Sequence, residues 1–103
     1  MNAPTFDPIT LEVLWTRLRS VVDEAAKAIV RTSFSTVVRD VNDYACALFD
    51  ASARLLVQST DSTPGICGGL GTMLRHMLTR HPPATLAEGD VLVSNDAYHG
   101  TGH

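Results

Sequence analysis

Residues 7–31, DPITLEVLWTRLRSVVDEAAKAIVR, carry a long and regular apolar pattern. Ile9, Val13, Leu14, Leu18, Val21, Val22, Ala25, Ala28 and Ile29 recur at steps of three and four, and Arg17, Arg19, Asp23, Glu24 and Lys27 fall largely between them. That is the period of an amphipathic α-helix, predicted over roughly residues 8–33. Its start is signalled by Asp7 as a capping residue, Pro8 at the first helical position and the negative charge of Glu12 near the N-terminal dipole. A stripe of this length needs a surface to cover it, and a chain of 103 residues offers little.

Downstream, TSFSTVVRDVND (32–43) reads as a loop leading to a strand. YACALFD and RLLVQST are apolar runs on either side of a turn and predict a β-hairpin, roughly 44–49 and 54–59. DSTPGICGG (61–69) has loop chemistry, with Pro64 and three glycines. GTMLRHMLTRH is helical by spacing: Leu70, Met73, Leu74, Met77 and Leu78 share a face, and Pro82 and Pro83 end it. After AEGD, VLVS (91–94) predicts a short buried strand that delivers the chain into NDAYHGTGH. The order helix, hairpin, helix, strand, loop predicts an α+β fold over 1–103, without internal repeat or linker.

Composition narrows the function classes. Hydrophobic residues make up 45% and charged residues 18%, an ordinary globular balance that argues against disorder or a coiled coil. A net charge of −3 with dispersed Lys and Arg gives no stripe for phosphates to follow, so no nucleic-acid partner is expected. No apolar stretch approaches the roughly 20 residues that cross a bilayer. Cys46 and Cys67 read as reduced thiols, and with no secretory leader evident in MNAPTFDPIT the expected location is the cytoplasm.

The chemistry gathers at the end of the chain. Asp96, His99 and His103 offer a carboxylate and two imidazoles to a divalent metal, while Gly100 and Gly102 allow the tight backbone that turns side chains inward. Asp-x-x-His-x-x-x-His is not diagnostic, and Asn95-Asp96 equally fits an Asx turn. GICGGLG (65–71) precedes a helix but lacks the Lys-Ser/Thr of a phosphate loop, so it reads as a helix entry. Cys67 has no recognisable general base and Cys46 sits mid-strand among apolar residues; both read as small packed thiols. His76 and His81 belong to the second helix, with His81 placed to interact with its last carbonyls. Asp43 reads as a strand-entry residue.

Taken in order, DPITLEVLWTRL, RTSFS, NDYACALFD and GDVLVSNDAYHG resemble the N-terminal part of the hydantoinase B/oxoprolinase family. The resemblance implies a segment of a much longer B-type subunit, working in a hetero-oligomer with an A-type partner that binds ATP. In such enzymes ATP phosphorylates a carbonyl or amide oxygen ahead of bond cleavage. The implied substrate is a small cyclic amide; for the acetone carboxylase branch, with its alpha-type subunits, it is a ketone. The family loop reads approximately N-D-P-Y-x-G-G-T-H-L-P-D, matched here by Asn95, Asp96, Tyr98, Gly100 and His103. Ala97 stands in place of the proline, and Thr101-Gly102 reverses the Gly-Thr order. On this resemblance His103 is a ligand of a divalent zinc, manganese or iron ion, and the next ligands follow it in the family. Asp96 and His99 are then catalytic-site groups that face substrate or orient the ligand. The chain alone is expected to be inactive, because one protein ligand cannot hold a catalytic metal. The rival reading is a non-enzymatic interaction module that docks through its first helix.

Overall fold

Asp7 opens the first helix: its carboxylate accepts from the Thr10 N–H at 2.8 Å and from the Thr10 hydroxyl at 2.8 Å, satisfying one of the donors that a helix start leaves unpaired. The computed structural model, which describes residues 5–101, carries this helix, α1, through Pro8–Thr32. At its far end the Thr32 hydroxyl donates to the Ala28 carbonyl at 2.7 Å, and Ser33 turns the chain into extended backbone. Only Val22 and Ala26 of α1 are buried. They form the small apolar core with Ala53 and Val57 of the hairpin that follows. The rest of the stripe lies open, with Ile9 78% and Val21 62% exposed. The shortage of cover anticipated from the chain length is therefore present among the described residues.

The segment 32–43, expected to be a loop, contains one helical turn, α2, over Thr36–Arg39. Asn42 leaves it at φ 57°, a left-handed conformation that asparagine tolerates. The hairpin forms where it was predicted but is shorter: β1 spans Ala47–Phe49 and β2 spans Leu55–Gln58, antiparallel, with Leu48 opposite Val57 and Phe49 opposite Leu55. The register shift leaves Leu56 as an extra residue, a bulge that bends the strand. Asp50 organises the turn; its Oδ1 accepts from the Ser52 and Arg54 N–H groups at 2.8 and 2.9 Å, and its Oδ2 pairs with Arg54 Nε at 2.9 Å. Cys46 lies just before β1 rather than within it. It is half-buried, and burial pushes its thiol pKa up.

The hairpin is tied at both ends. α1 packs against β2, and beyond β2 the Asp23 carboxylate of α1 accepts from the Thr60 N–H at 2.7 Å and the Thr60 hydroxyl at 2.9 Å. The buried Ser59 hydroxyl meets that of Ser62, whose Oγ accepts from the Cys46 N–H at 3.1 Å. These bonds, with Thr63 N–H to the Tyr44 carbonyl at 2.9 Å, set the point at which the next helix starts.

That helix, α3, covers Pro64–Arg80, so the loop expected over 61–69 is helical from residue 64 onward. Pro64 takes the first helical position. The glycines suggested a loop because each costs a helix interior about 1 kcal/mol relative to alanine. At Gly69 the structure gives the compensation: a Cβ there would stand 3.2 Å from the Thr101 Cα, so glycine admits the backbone of the terminal loop. His81 caps α3, its N–H donating to the Met77 carbonyl at 2.8 Å. A 3₁₀ turn, Pro83–Thr85, follows.

The short buried strand expected at 91–94 does not form. The segment is irregular, pairs with no strand among the described residues, and exposes Val91 (81%) and Val93 (90%). Apolar side chains favour an extended path, but a strand also needs a neighbouring edge for its backbone N–H and C=O groups. The architecture is α+β, with one two-stranded sheet among the described residues. Among the described residues no helix is long and apolar enough to cross a membrane.

Candidate functional site

The face of α3 that receives the terminal loop is built from residues 69, 73 and 76, spaced four and three apart. Gly69 lies against the Thr101 backbone, Met73 lies beside Gly100, and His76 stacks on His99 with ring centroids 4.0 Å apart and planes within 3°. Glycine at 100 is a steric requirement, since a Cβ there would collide with the Asp96 carbonyl oxygen.

The loop is held from within by Asp96. Its Oδ1 accepts from the Tyr98 N–H at 2.9 Å and the His99 N–H at 3.2 Å, which is the Asx turn that Asn95-Asp96 allowed. Its Oδ2 lies 2.8 Å from His99 Nδ1. The His99 side-chain hydrogen bond, followed by the His99 backbone N–H, holds the Asp96 carboxyl below the usual carboxylate range. When Nδ1 carries the shared proton, Nε2 keeps its lone pair and can take a proton or bind a metal. Tyr98 sets its ring edge-on to His99 at 4.7 Å. The Asp96 and His99 side chains are 39% and 46% exposed, so solvent and small ligands reach them. A cleft of about 480 Å³ adjoins Asp96 and is lined as well by His76, Arg80, His81, Leu92 and Ser94 among others.

The structure thus brings together two of the three residues selected from sequence, Asp96 and His99. The third, His103, lies outside the described residues. It also adds one that sequence reasoning left as an ordinary helix residue. His76, Asp96 and His99 present one ligand atom each within 4.8 Å of one another. His76 Nε2 is buried and has no hydrogen-bond partner among the described residues. Two imidazoles and a carboxylate are a donor set that suits zinc, manganese or iron, so the residues fit the divalent ion that the family resemblance implies. No linear spacing links His76 to a loop 20 residues later; the only signal was a polar residue one turn beyond Met73, on the face that receives that loop.

Cys67 and Asp43 are not part of this cluster, and of the glycines at 65–71 only Gly69 touches the loop that carries it. Cys67 lies in the first turn of α3 beside a separate cleft with Phe49, Leu55 and Arg75. Asp43, ahead of β1, donates its backbone N–H to the Val37 carbonyl at 3.1 Å.

Comparison with known proteins accounts for nearly the whole chain. The family model for hydantoinase B/oxoprolinase matches residues 7–103. An uncharacterised protein of Schizosaccharomyces pombe is 39% identical over 102 residues, which is 99% of this chain and 8% of that protein. The caprolactamase subunit beta of Pseudomonas jessenii is 35% identical over 100 residues, 94% of this chain and 16% of that subunit. The 5-oxoprolinase of Dictyostelium discoideum is 33% identical over 101 residues, 94% of this chain and 8% of that enzyme. The chain therefore spans between 8% and 16% of the length of these relatives. No solved structure matches it. With a family model covering all but the first six residues, the chain belongs to the hydantoinase B/oxoprolinase family.

Proposed function

We propose that this chain contributes to the B-type subunit of a cytoplasmic, ATP-dependent enzyme that hydrolyses a cyclic amide together with an A-type, ATP-binding partner. The observation that carries the reading is the family match over residues 7–103, joined to relatives named for acting on oxoproline and caprolactam. Both of those names denote a lactam, whose resonance-stabilised amide is a poor electrophile. Transfer of a phosphoryl group from ATP to the amide oxygen makes the carbonyl carbon attackable by water. A multi-subunit arrangement is supported by a relative named as a subunit beta. The open face of α1 supports it too, because exposed apolar patches mark interaction surfaces. The free thiols of Cys46 and Cys67 suit a reducing compartment.

A divalent ion in such a centre supplies Lewis acidity toward a carbonyl or phosphoryl oxygen, or acidifies a water. His103 is proposed as one of its ligands, by the family loop it matches. Within the described residues, Asp96 fixes the His99 ring through the 2.8 Å contact at Nδ1, which favours the Nδ1–H tautomer and leaves the Nε2 lone pair free. Gly100 lets the loop fold tightly enough to hold both groups on α3. This segment by itself is proposed to be inactive.

The test is an assay of the B-type protein with its A-type partner on 5-oxoproline, hydantoin and caprolactam. Ring opening should require ATP and release ADP, and Asp96→Ala and His99→Ala should each lower kcat by about 100-fold or more. Ring opening without ATP would overturn the reading. ATP turnover that responds to a ketone and bicarbonate, but to none of the lactams, would make the protein a carboxylase component instead.

A further inference from the structure

We propose that α1 is the docking site for α1 of a second copy of this chain, with the two helices running antiparallel. The inference rests on one helix face and not on the proposed activity, so each stands if the other fails.

That face is a seam. Leu11, Leu14, Leu18, Val21, Ala25 and Ala28 follow one another at steps of three and four, the average of 3.5 that keeps one helix against another. At 1.5 Å per residue the seam is about 25 Å long. Val22 and Ala26 are the residues of α1 that are buried, and α1 packs against β2 of the hairpin. They lie about 90° further round the helix, at 100° per residue. The hairpin therefore flanks the seam without covering it, and Leu11, Leu14 and Val21 are exposed. A run of apolar side chains left open in this way marks a contact surface.

Two features make the occupant a second copy. The first is size. The three leucines lie in the N-terminal half of the seam, and Val21 and the two alanines lie in the C-terminal half. The smaller residues leave a groove of about 460 Å³, lined by Val21, Ala25 and Ala28 with Ser20, Glu24 and Arg31. In an antiparallel pair Leu11 meets Ala28 of the other copy, Leu14 meets Ala25, and Leu18 meets Val21. Every layer then joins a larger side chain to a smaller one, and two-fold symmetry makes each contact twice. A parallel pair would set leucine on leucine and alanine on alanine, and would leave the groove unfilled.

The second feature is charge. Arg17 and Glu24 border the seam on the side away from the hairpin, one on each side of its midpoint. Neither has an ion-pair partner in its own chain among the described residues. The antiparallel alignment that matches the layers also brings Arg17 of each copy beside Glu24 of the other, so two ion pairs close the same edge. In the parallel alignment Arg17 would face Val22, which the hairpin already buries. Antiparallel helices also set each N-terminal dipole end beside the other's C-terminal end, a favourable arrangement.

Sedimentation equilibrium of the 103-residue chain tests the pairing at up to about 100 µM, above the micromolar dissociation constants expected of a contact of this modest size. Wild-type chain should be a dimer there. Arg17→Glu and Glu24→Arg each turn both ion pairs into like-charge contacts, so each should weaken dimerisation about tenfold or more. Mixing the two single variants should restore association, because the charges of one then complement those of the other. That rescue also shows that both variants are folded. The double variant Arg17→Glu/Glu24→Arg should associate within about threefold of wild type. A wild-type chain that stays monomeric, or a dimer indifferent to both single reversals, would overturn the pairing. So would a monomer that associates only when the A-type partner is added, which would assign the seam to that partner.

Discussion

Leu55-Leu56-Val57-Gln58 and Val91-Leu92-Val93-Ser94 are nearly the same four-residue pattern: two aliphatic residues, a valine and a polar residue. The first is a strand in which Val57 is 4% exposed. The second pairs with no strand among the described residues, and its Val93 is 90% exposed. Intrinsic preference cannot explain the difference. What differs is the neighbourhood. A short turn organised by Asp50 joins Leu55–Gln58 to another apolar run, so closing the hairpin costs little chain entropy. Val91–Ser94 instead follows Pro82, Pro83 and a turn at Gly89 with φ 91°, and no strand among the described residues offers it an edge. A short apolar run thus reports a need for cover, and the cover itself is a property of the neighbours.

The comparison predicts unequal costs for equal substitutions. Val57→Ala removes two buried methyl groups and leaves a gap beneath α1, so it should lower unfolding free energy by about 2 kcal/mol. The urea midpoint, read by the helical circular dichroism of the chain, checks this. A loss below about 0.5 kcal/mol would mean that the hairpin and α1 are not truly packed together.

Asp23 sharpens the same contrast on the polar side, because it ties α1 to Thr60, two residues beyond β2. Asp23→Ala should cost about 1 kcal/mol, the usual worth of a hydrogen bond with an exposed partner. The Thr60 N–H is the main reason its pKa lies below the usual carboxylate range. The sign follows from that depression. The contribution is complete above the unfolded-state value and disappears as pH falls through the lower folded-state value. Wild-type chain should therefore lose stability more steeply than Asp23→Ala below about pH 4. Parallel acid profiles for the two proteins would remove the tether.

Cys46 gives a smaller and purely kinetic contrast. It is half-buried and burial raises its thiol pKa, so alkylation at pH 8 should be several-fold slower in the folded chain than in urea. Mass spectrometry of the labelled peptides reads this directly. Equal rates in both conditions would place the start of β1 in solvent.

These differences bear on what a sequence can reveal. α1 was legible to within a residue because its cap, its proline and its apolar period are all local. The hairpin was legible because its two runs lie together in the chain. The first six residues of α3 were not, since Gly65, Gly68 and Gly69 argue locally for a loop and the reason to tolerate Gly69 is Thr101, which arrives 32 residues later. Asp96 and His99 were visible because a carboxylate and an imidazole three residues apart can meet within one turn. His76 was not visible, because its partnership depends on how the loop seats on α3. Local chemistry was readable, and chemistry assembled by packing was not.

The smallest expected effect is the most direct test of the opening contrast. Val93→Ala removes the same two methyl groups as Val57→Ala, yet from a side chain already in water, so the transfer term vanishes. Alanine also has a lower preference for extended backbone, but no ladder exists among the described residues for that preference to weaken. Stability should then stay within about 0.5 kcal/mol of wild type, as for other exposed positions. Amide hydrogen exchange should agree, with rapid exchange at residues 91–94 and protection around Val22 and Ala26. If Val93→Ala cost as much as Val57→Ala, the segment would be covered in solution, by a strand or by a second copy of the chain. The distinction between the two apolar runs would then be one of partner rather than of exposure.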